Sequence, residues 1–72
     1  MFAMRYRKIG ARIVYFRMIK GLSQEELADR AGISQSYLSK IEHGAYPKNL
    51  PLTTLLLITA ALDIDVCEII KE

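Results

Sequence analysis

The run SQEELADRAGISQSYLSKIEHG, from Ser23 to Gly44, spells two short helices joined by a glycine turn. Ser23 is placed to cap the first helix with its hydroxyl, and Glu26, three residues on, to reach back to the amide of the cap. Leu27, Ala28 and Ala31 share one helical face, with Glu25, Asp29 and Arg30 on the other. Gly32 supplies the left-handed backbone conformation that a residue with a Cβ reaches only at a cost, so the chain turns sharply after Ala31. Ile33 plugs the corner. Ser34 caps the second helix, Leu38 and Ile41 form its inward stripe, and Gly44 ends it. Ala28 sits where the two helices cross, and a larger side chain there would push them apart.

The outward face of the second helix carries Gln35, Ser36, Ser39 and Lys40, with Tyr37 at its edge. Taken alone, a polar helix face is only a solvated surface. Two caps, a glycine turn and a small residue at the crossing give this one a different meaning. Amide and ammonium side chains on the first turns of a second helix have the reach to touch base edges in a DNA major groove.

Beyond this unit the pattern remains helical, and the fold class is all-α. A first helix is expected from about Arg5 to Lys20, ended by Gly21, and two closing helices at about Leu52 to Leu62 and Val66 to Lys71. Ile9, Ile13 and Phe16 make the inward stripe of the first helix; Leu52, Leu55, Ile58 and Leu62 make that of the fourth. Val14, Tyr15, Met18 and Ile19 exceed one stripe, and some of them must pack against the C-terminal helix or remain exposed. Pro51 suits the first turn of the fourth helix.

A chain of 72 residues has room for one small domain, residues 1–72, and for one hydrophobic core. No large substrate cleft fits, and the carboxylates stand with no base, nucleophile or phosphate-cradling glycine loop, so an enzyme is not expected. The hydrophobic fraction of 51% is high for this size and points both to a rich core and to apolar surface kept for a partner. The lone Cys67 excludes an internal disulfide framework. MFAMRYRK has no apolar stretch ahead of its charges, and Leu50 to Leu62 is shorter than the roughly 20 residues that span a bilayer. A cytoplasmic protein without membrane contact is expected. His43, at a helix end beside Gly44, has no cluster around it, so no metal, cofactor or small-molecule ligand is expected.

Charge is distributed unevenly: up to Lys48 the chain holds nine of its ten basic residues against four acidic ones, and afterwards one against four. Arg5, Arg7, Lys8, Arg12, Arg17 and Lys20 gather on the first helix, where phosphates beside a groove can be met. The acidic C-terminal part should face away from DNA.

From about Ile9 to Ile69 the chain resembles the Cro and lambda-repressor-like helix-turn-helix regulators, also called the XRE family. The resemblance is carried by Arg17, SQEELA at Ser23 to Ala28, AGIS at Ala31 to Ser34, YLSKIE at Tyr37 to Glu42, Gly44, and LDI at Leu62 to Ile64, in that order and spacing. It implies a compact five-helix domain whose second and third helices, about residues 23–44, form the DNA-binding unit. It also implies that Arg17 pairs with Glu42 and locks the first helix to the reading helix. Gln24 becomes a phosphate anchor at the start of the second helix, beside the phosphate contact that the basic clustering on the first helix gives to Arg12. Ser34 joins the DNA-facing set, Gln35 matches adenine, and Lys40 favours guanine. Ser36 and Ser39 suit either bases or phosphates. The ring of Tyr37 covers the helix corner or its hydroxyl touches a phosphate, and Lys48 is a phosphate contact or a solvated loop lysine.

Relatives of this kind usually place polar surface where this chain has Leu57 and Ala60. With Ile64 and Ile70 these residues suggest a dimer contact on the side away from DNA. The expected partners are thus double-stranded DNA and a second copy of the chain, and the expected role is a repressor of transcription on a palindromic operator. The rival is a protein-binding module, controller- or antitoxin-like, on the same scaffold.

Overall fold

The structure, a computed structural model, describes residues 2–45 and 50–71, with side chains described from residue 7 onward. Five helices follow one another: α1 (Phe2–Ile19), α2 (Gln24–Ala31), α3 (Gln35–Glu42), α4 (Leu52–Leu62) and α5 (Cys67–Ile70). Among the described residues there is no strand, and no helix is long and apolar enough to cross a membrane. The architecture is all-helical, with α1 starting three residues earlier than the sequence suggests and α5 shorter by one residue at each end.

The helix boundaries follow local chemistry. At the start of α2, the Ser23 hydroxyl accepts from the amide of Glu26 at 3.0 Å, while the Glu26 carboxylate accepts from the amide of Ser23 at 2.9 Å. Both orphan donors are thereby satisfied. Gly32 sits at φ 73°, and the amide of Ile33 donates to the carbonyl of Ala28, so the last turn closes and the chain swings into the corner. Ser34 Oγ accepts from the amide of Tyr37 at 3.0 Å and opens α3.

The core is formed by Ile13, Leu22, Leu27, Ala28, Ala31, Leu38, Ile41, Leu55, Ile58, Leu62 and Ile69. Seven of these large side chains are fully enclosed, and each such burial contributes about 1.5–3 kcal/mol. α4 packs on α2, whereas α1 packs on α3 and α5. Where α1 crosses the end of α3, Gly10 is buried, and a Cβ at that position would lie 2.5 Å from the carbonyl oxygens of both Ile41 and Glu42. Only glycine lets the two backbones approach so closely.

Of the two fates open to the surplus apolar residues of α1, Tyr15, Met18 and Ile19 take exposure: Met18 is 67% exposed, and the other two are more than half exposed. The described side chains of α1 that meet the core are Ile9, Ile13 and Phe16. One expectation about packing is corrected. Leu52 is 60% exposed rather than part of the core. Leu50, ahead of Pro51, supplies the apolar contact near that end, and Thr54 and Thr59 join Leu55, Ile58 and Leu62 on the buried side of α4.

Candidate nucleic-acid interface

The underside of α3 fixes what its upper side presents. Leu38 and Ile41 are fully buried, which turns Gln35, Ser36 and Lys40 into solvent. Ser39 is half-buried, and its carbonyl accepts from the amide of His43 and from the His43 ring at Nδ1, so this residue finishes the helix. Since a carbonyl only accepts, His43 carries its proton on Nδ1 there. Tyr37 is half-buried with its ring against the core. Ser34 is exposed, yet its hydroxyl is engaged in the cap.

One carboxylate holds this helix to the rest of the molecule. Glu42, whose side chain is only 2% exposed, accepts from Arg17 Nε at 2.8 Å, from Arg17 Nη2 at 3.2 Å and from Gln24 Nε2 at 2.8 Å. Arg17 Nη1 donates in turn to the carbonyl of Leu22 at 3.0 Å. The end of α1, the connector into α2, the first residue of α2 and the last residue of α3 thus converge on one buried charge. Three donors satisfy it, which is the condition under which a buried charge is tolerated. The side chain of Gln24 accordingly points inward with one N–H, a contact that sequence reasoning did not anticipate.

Arg12 has a partner that the sequence did not suggest: its Nη1 donates to the carbonyls of Ile69, at 3.1 Å, and of Lys71, so this nitrogen holds the end of α5. The residue type was legible, but its partner lies 57 positions away in the chain. Lys48 lies outside the described residues.

Beside the start of α3, an open hollow of about 440 Å³ is lined by Glu25, Glu26, Ala28, Asp29, Ile33 and Gln35. Its carboxylates repel phosphates, so this flank of α2 must stand off a nucleic-acid backbone. The Ser23 amide and hydroxyl, bonded to Glu26, hold that carboxyl below its ordinary value. Just ahead of α5, Asp65 accepts from the amide of Cys67 at 2.8 Å and lies below its ordinary value for that reason, while its hydrogen bond with the exposed Cys67 thiol, followed by its charge, pushes that thiol up. A raised thiol is a poor nucleophile. Among the described residues no group of three His, Cys, Asp or Glu could hold a metal ion.

Of the residues suggested for self-association, Leu57, Ala60 and Ile70 are exposed. Ile64 is half-buried and packs against the core. Leu52 and Leu56 add exposed apolar surface on α4 that the sequence reading did not assign to this face.

A family model described as helix-turn-helix matches residues 13–69. The HTH-type transcriptional regulator SinR of Bacillus subtilis is 41% identical over 64 residues, covering 89% of the chain and 57% of SinR. The immunity repressor protein of Bacillus phage phi105 is also 41% identical over 64 residues, covering 89% of the chain and 43% of the repressor. The chain therefore spans just over half the length of SinR and less of the phage protein. Among solved structures, the restriction-modification controller protein C.AhdI of Aeromonas hydrophila superposes with a TM-score of 0.83 at 39% identity, covering 89% of the chain and 94% of the controller.

Proposed function

The chain belongs to the helix-turn-helix family of DNA-binding transcriptional regulators, and on that premise we propose that it is a repressor that reads a palindromic operator as a homodimer. The observation that carries this reading is the two-sidedness of α3. Leu38 and Ile41 are sealed beneath it while Gln35, Ser36 and Lys40 stand free above, on a helix short enough to enter a major groove end-on. Gln35 has the paired donor and acceptor that match adenine, and Lys40 has the donors that match guanine. Ser36 is placed for a base or a phosphate. Arg7 and Lys8, exposed on α1, add positive charge for the backbone.

Repression is favoured by the likeness to a phage immunity repressor. Self-association is favoured by Leu57, Ala60 and Ile70, apolar and exposed on α4 and α5, with Leu52 and Leu56 extending the same surface. A two-fold axis there would set two reading helices about 34 Å apart, one turn of DNA.

Selection from randomised duplexes tests the reading. An inverted repeat should emerge, and Gln35→Ala should relax one base position by about 1–3 kcal/mol of discrimination. Equal weakening for every duplex would remove the base-reading role. Sedimentation should give a dimer that Leu57→Asp dissociates; a monomer at high concentration, both free and on DNA, would remove the dimer.

A further inference from the structure

The outer side of α1 carries more apolar surface than its own fold uses. Ala11, Tyr15, Met18 and Ile19 recur at the spacing of one helix face, and the last three stay 60%, 67% and 58% exposed. Arg7 and Lys8, both exposed, stand one turn before Ala11 on the same face. No acidic residue occurs anywhere in α1. The ring of Tyr15 lies edge-on to Phe16, with centroids 5.1 Å apart, so it is already held in place. Beside it a hollow of about 400 Å³ opens between α1 and α5, lined by Arg12, Tyr15, Phe16, Glu68 and Lys71. Its walls are tied together: Arg12 bonds to the carbonyls of Ile69 and Lys71, and Lys71 pairs with Glu68 at 3.1 Å.

We propose that this face docks an amphipathic helix of another protein, one with an apolar stripe and with carboxylates grouped at one end. The stripe covers Tyr15, Met18 and Ile19, one large apolar side chain enters the hollow beside Tyr15, and the carboxylates meet Arg7 and Lys8. The surface shares no residue with the apolar set of α4 and α5 assigned above to self-association.

Charge and shape select this occupant. A second copy of α1 would bring only cations to a face that already holds cations, so the face does not complement itself. An anionic bilayer is recognised by a cluster of roughly four to eight cations, whereas Arg7 and Lys8 are the described cations on this face, and Glu68 beside the hollow would be repelled. A fluid surface also has no fixed side chain to fill a hollow. A helix with its carboxylates at one end meets both the shape and the charge.

Two fluorescent helical peptides test the docking on the protein without DNA, because the function proposed above gives Arg7 and Lys8 to the DNA backbone. Each has about five turns and leucine at every third and fourth position; one carries a run of glutamates at one end, the other a run of lysines there. The glutamate peptide should bind, and the lysine peptide should bind at least about tenfold more weakly. Tyr15→Ala and Met18→Gln should each weaken the glutamate peptide by about tenfold or more, with the urea midpoint kept near that of the parent because both side chains lie largely in water. Lys8→Glu should close the gap between the two peptides. Leu57→Asp, on the α4 surface, should leave the glutamate peptide bound as before.

Failure of both peptides to bind, or equal affinity for the two, would overturn the docking site. Vesicles of phosphatidylglycerol that hold the protein more tightly than the glutamate peptide does, and lose it with Met18→Gln, would assign the face to a bilayer instead. Self-association that Met18→Gln dissociates and Leu57→Asp does not would assign it to a second copy. None of these outcomes bears on the DNA-reading function, whose own failure shows in the duplex selection.

Discussion

Arg17 and Glu42 stand side by side, Nε to Oε2 at 2.8 Å and Nη2 to Oε1 at 3.2 Å, and so join the last turn of α1 to the last residue of α3. The two-pronged geometry is the strongest form that an arginine and a carboxylate can take. It also makes each partner depend on the other.

Arg17→Ala should destabilise the protein by about 3 kcal/mol, near the low end for breaking a buried pair because the Arg17 side chain retains 15% exposure. Most of that cost comes from leaving Glu42 charged and enclosed with Gln24 as its remaining partner. Urea denaturation measures it, and a midpoint equal to that of the parent would refute the pairing as a stabilising contact.

Arg12→Ala separates a helix tether from a phosphate ligand. Two hydrogen bonds to carbonyls at the end of α5 should be lost, at a cost of about 1–2 kcal/mol, and amide exchange should speed up first in α5. The slope of log K against log salt should stay where it is. A phosphate ligand would instead reduce that slope by about 0.9.

Gly10→Ala opposes two effects of known size. Alanine gains about 1 kcal/mol over glycine in a helix interior, so an open site would be stabilised. At Gly10 the new methyl would lie 2.5 Å from two backbone oxygens of α3, and backbone cannot rotate away as a side chain can. Overpacking typically costs about 1–3 kcal/mol, and this contact lies at the upper end. A lower melting temperature is expected; a higher one would show that α1 and α3 do not approach this closely.

The α2 cap makes a pH prediction. Glu26 is held below its ordinary pKa by the Ser23 amide and hydroxyl, so its folded value is depressed relative to the unfolded chain. Its contribution is present above the unfolded carboxylate value and is lost as pH falls through the folded one. Comparing the parent with Glu26→Gln by denaturation should therefore give a difference near neutral pH that closes under acid conditions. A difference that stays constant to low pH would mean the carboxylate charge has no part in the cap.

Legibility followed the range of the interaction. Ser23, Glu26, Gly32 and Ser34 act within a few residues of themselves, so the ends of α2 and α3 could be read from their order. The exposure of Gln35, Ser36 and Lys40 on α3 could be read as well, because Leu38 and Ile41 have no other side to pack on, whereas Ser39, expected on the same face, is half-buried. α1 and α4 resisted because the apolar residues of each are spread around the helix instead of gathered in one stripe. Periodicity then offers more than one stripe to bury, so it left Tyr15 and Met18 between burial and exposure and placed Leu52 in the core, although it is 60% exposed. Gly10 left one trace, a glycine in a helix interior, which carries a conformational cost and implies a close neighbour.

Capping hydroxyls, a glycine stop and the spacing of Leu38 and Ile41 are thus enough to specify the paired helices and the polar surface that α3 turns outward, since each acts through backbone geometry within one or two turns. The partners of the long polar side chains had to await the packing of the helices. Arg12 binds carbonyls at the far end of the chain, and Gln24 turns toward Glu42, because a charged or amide group is satisfied by whichever acceptor the fold brings within 3 Å, and sequence order does not encode that distance.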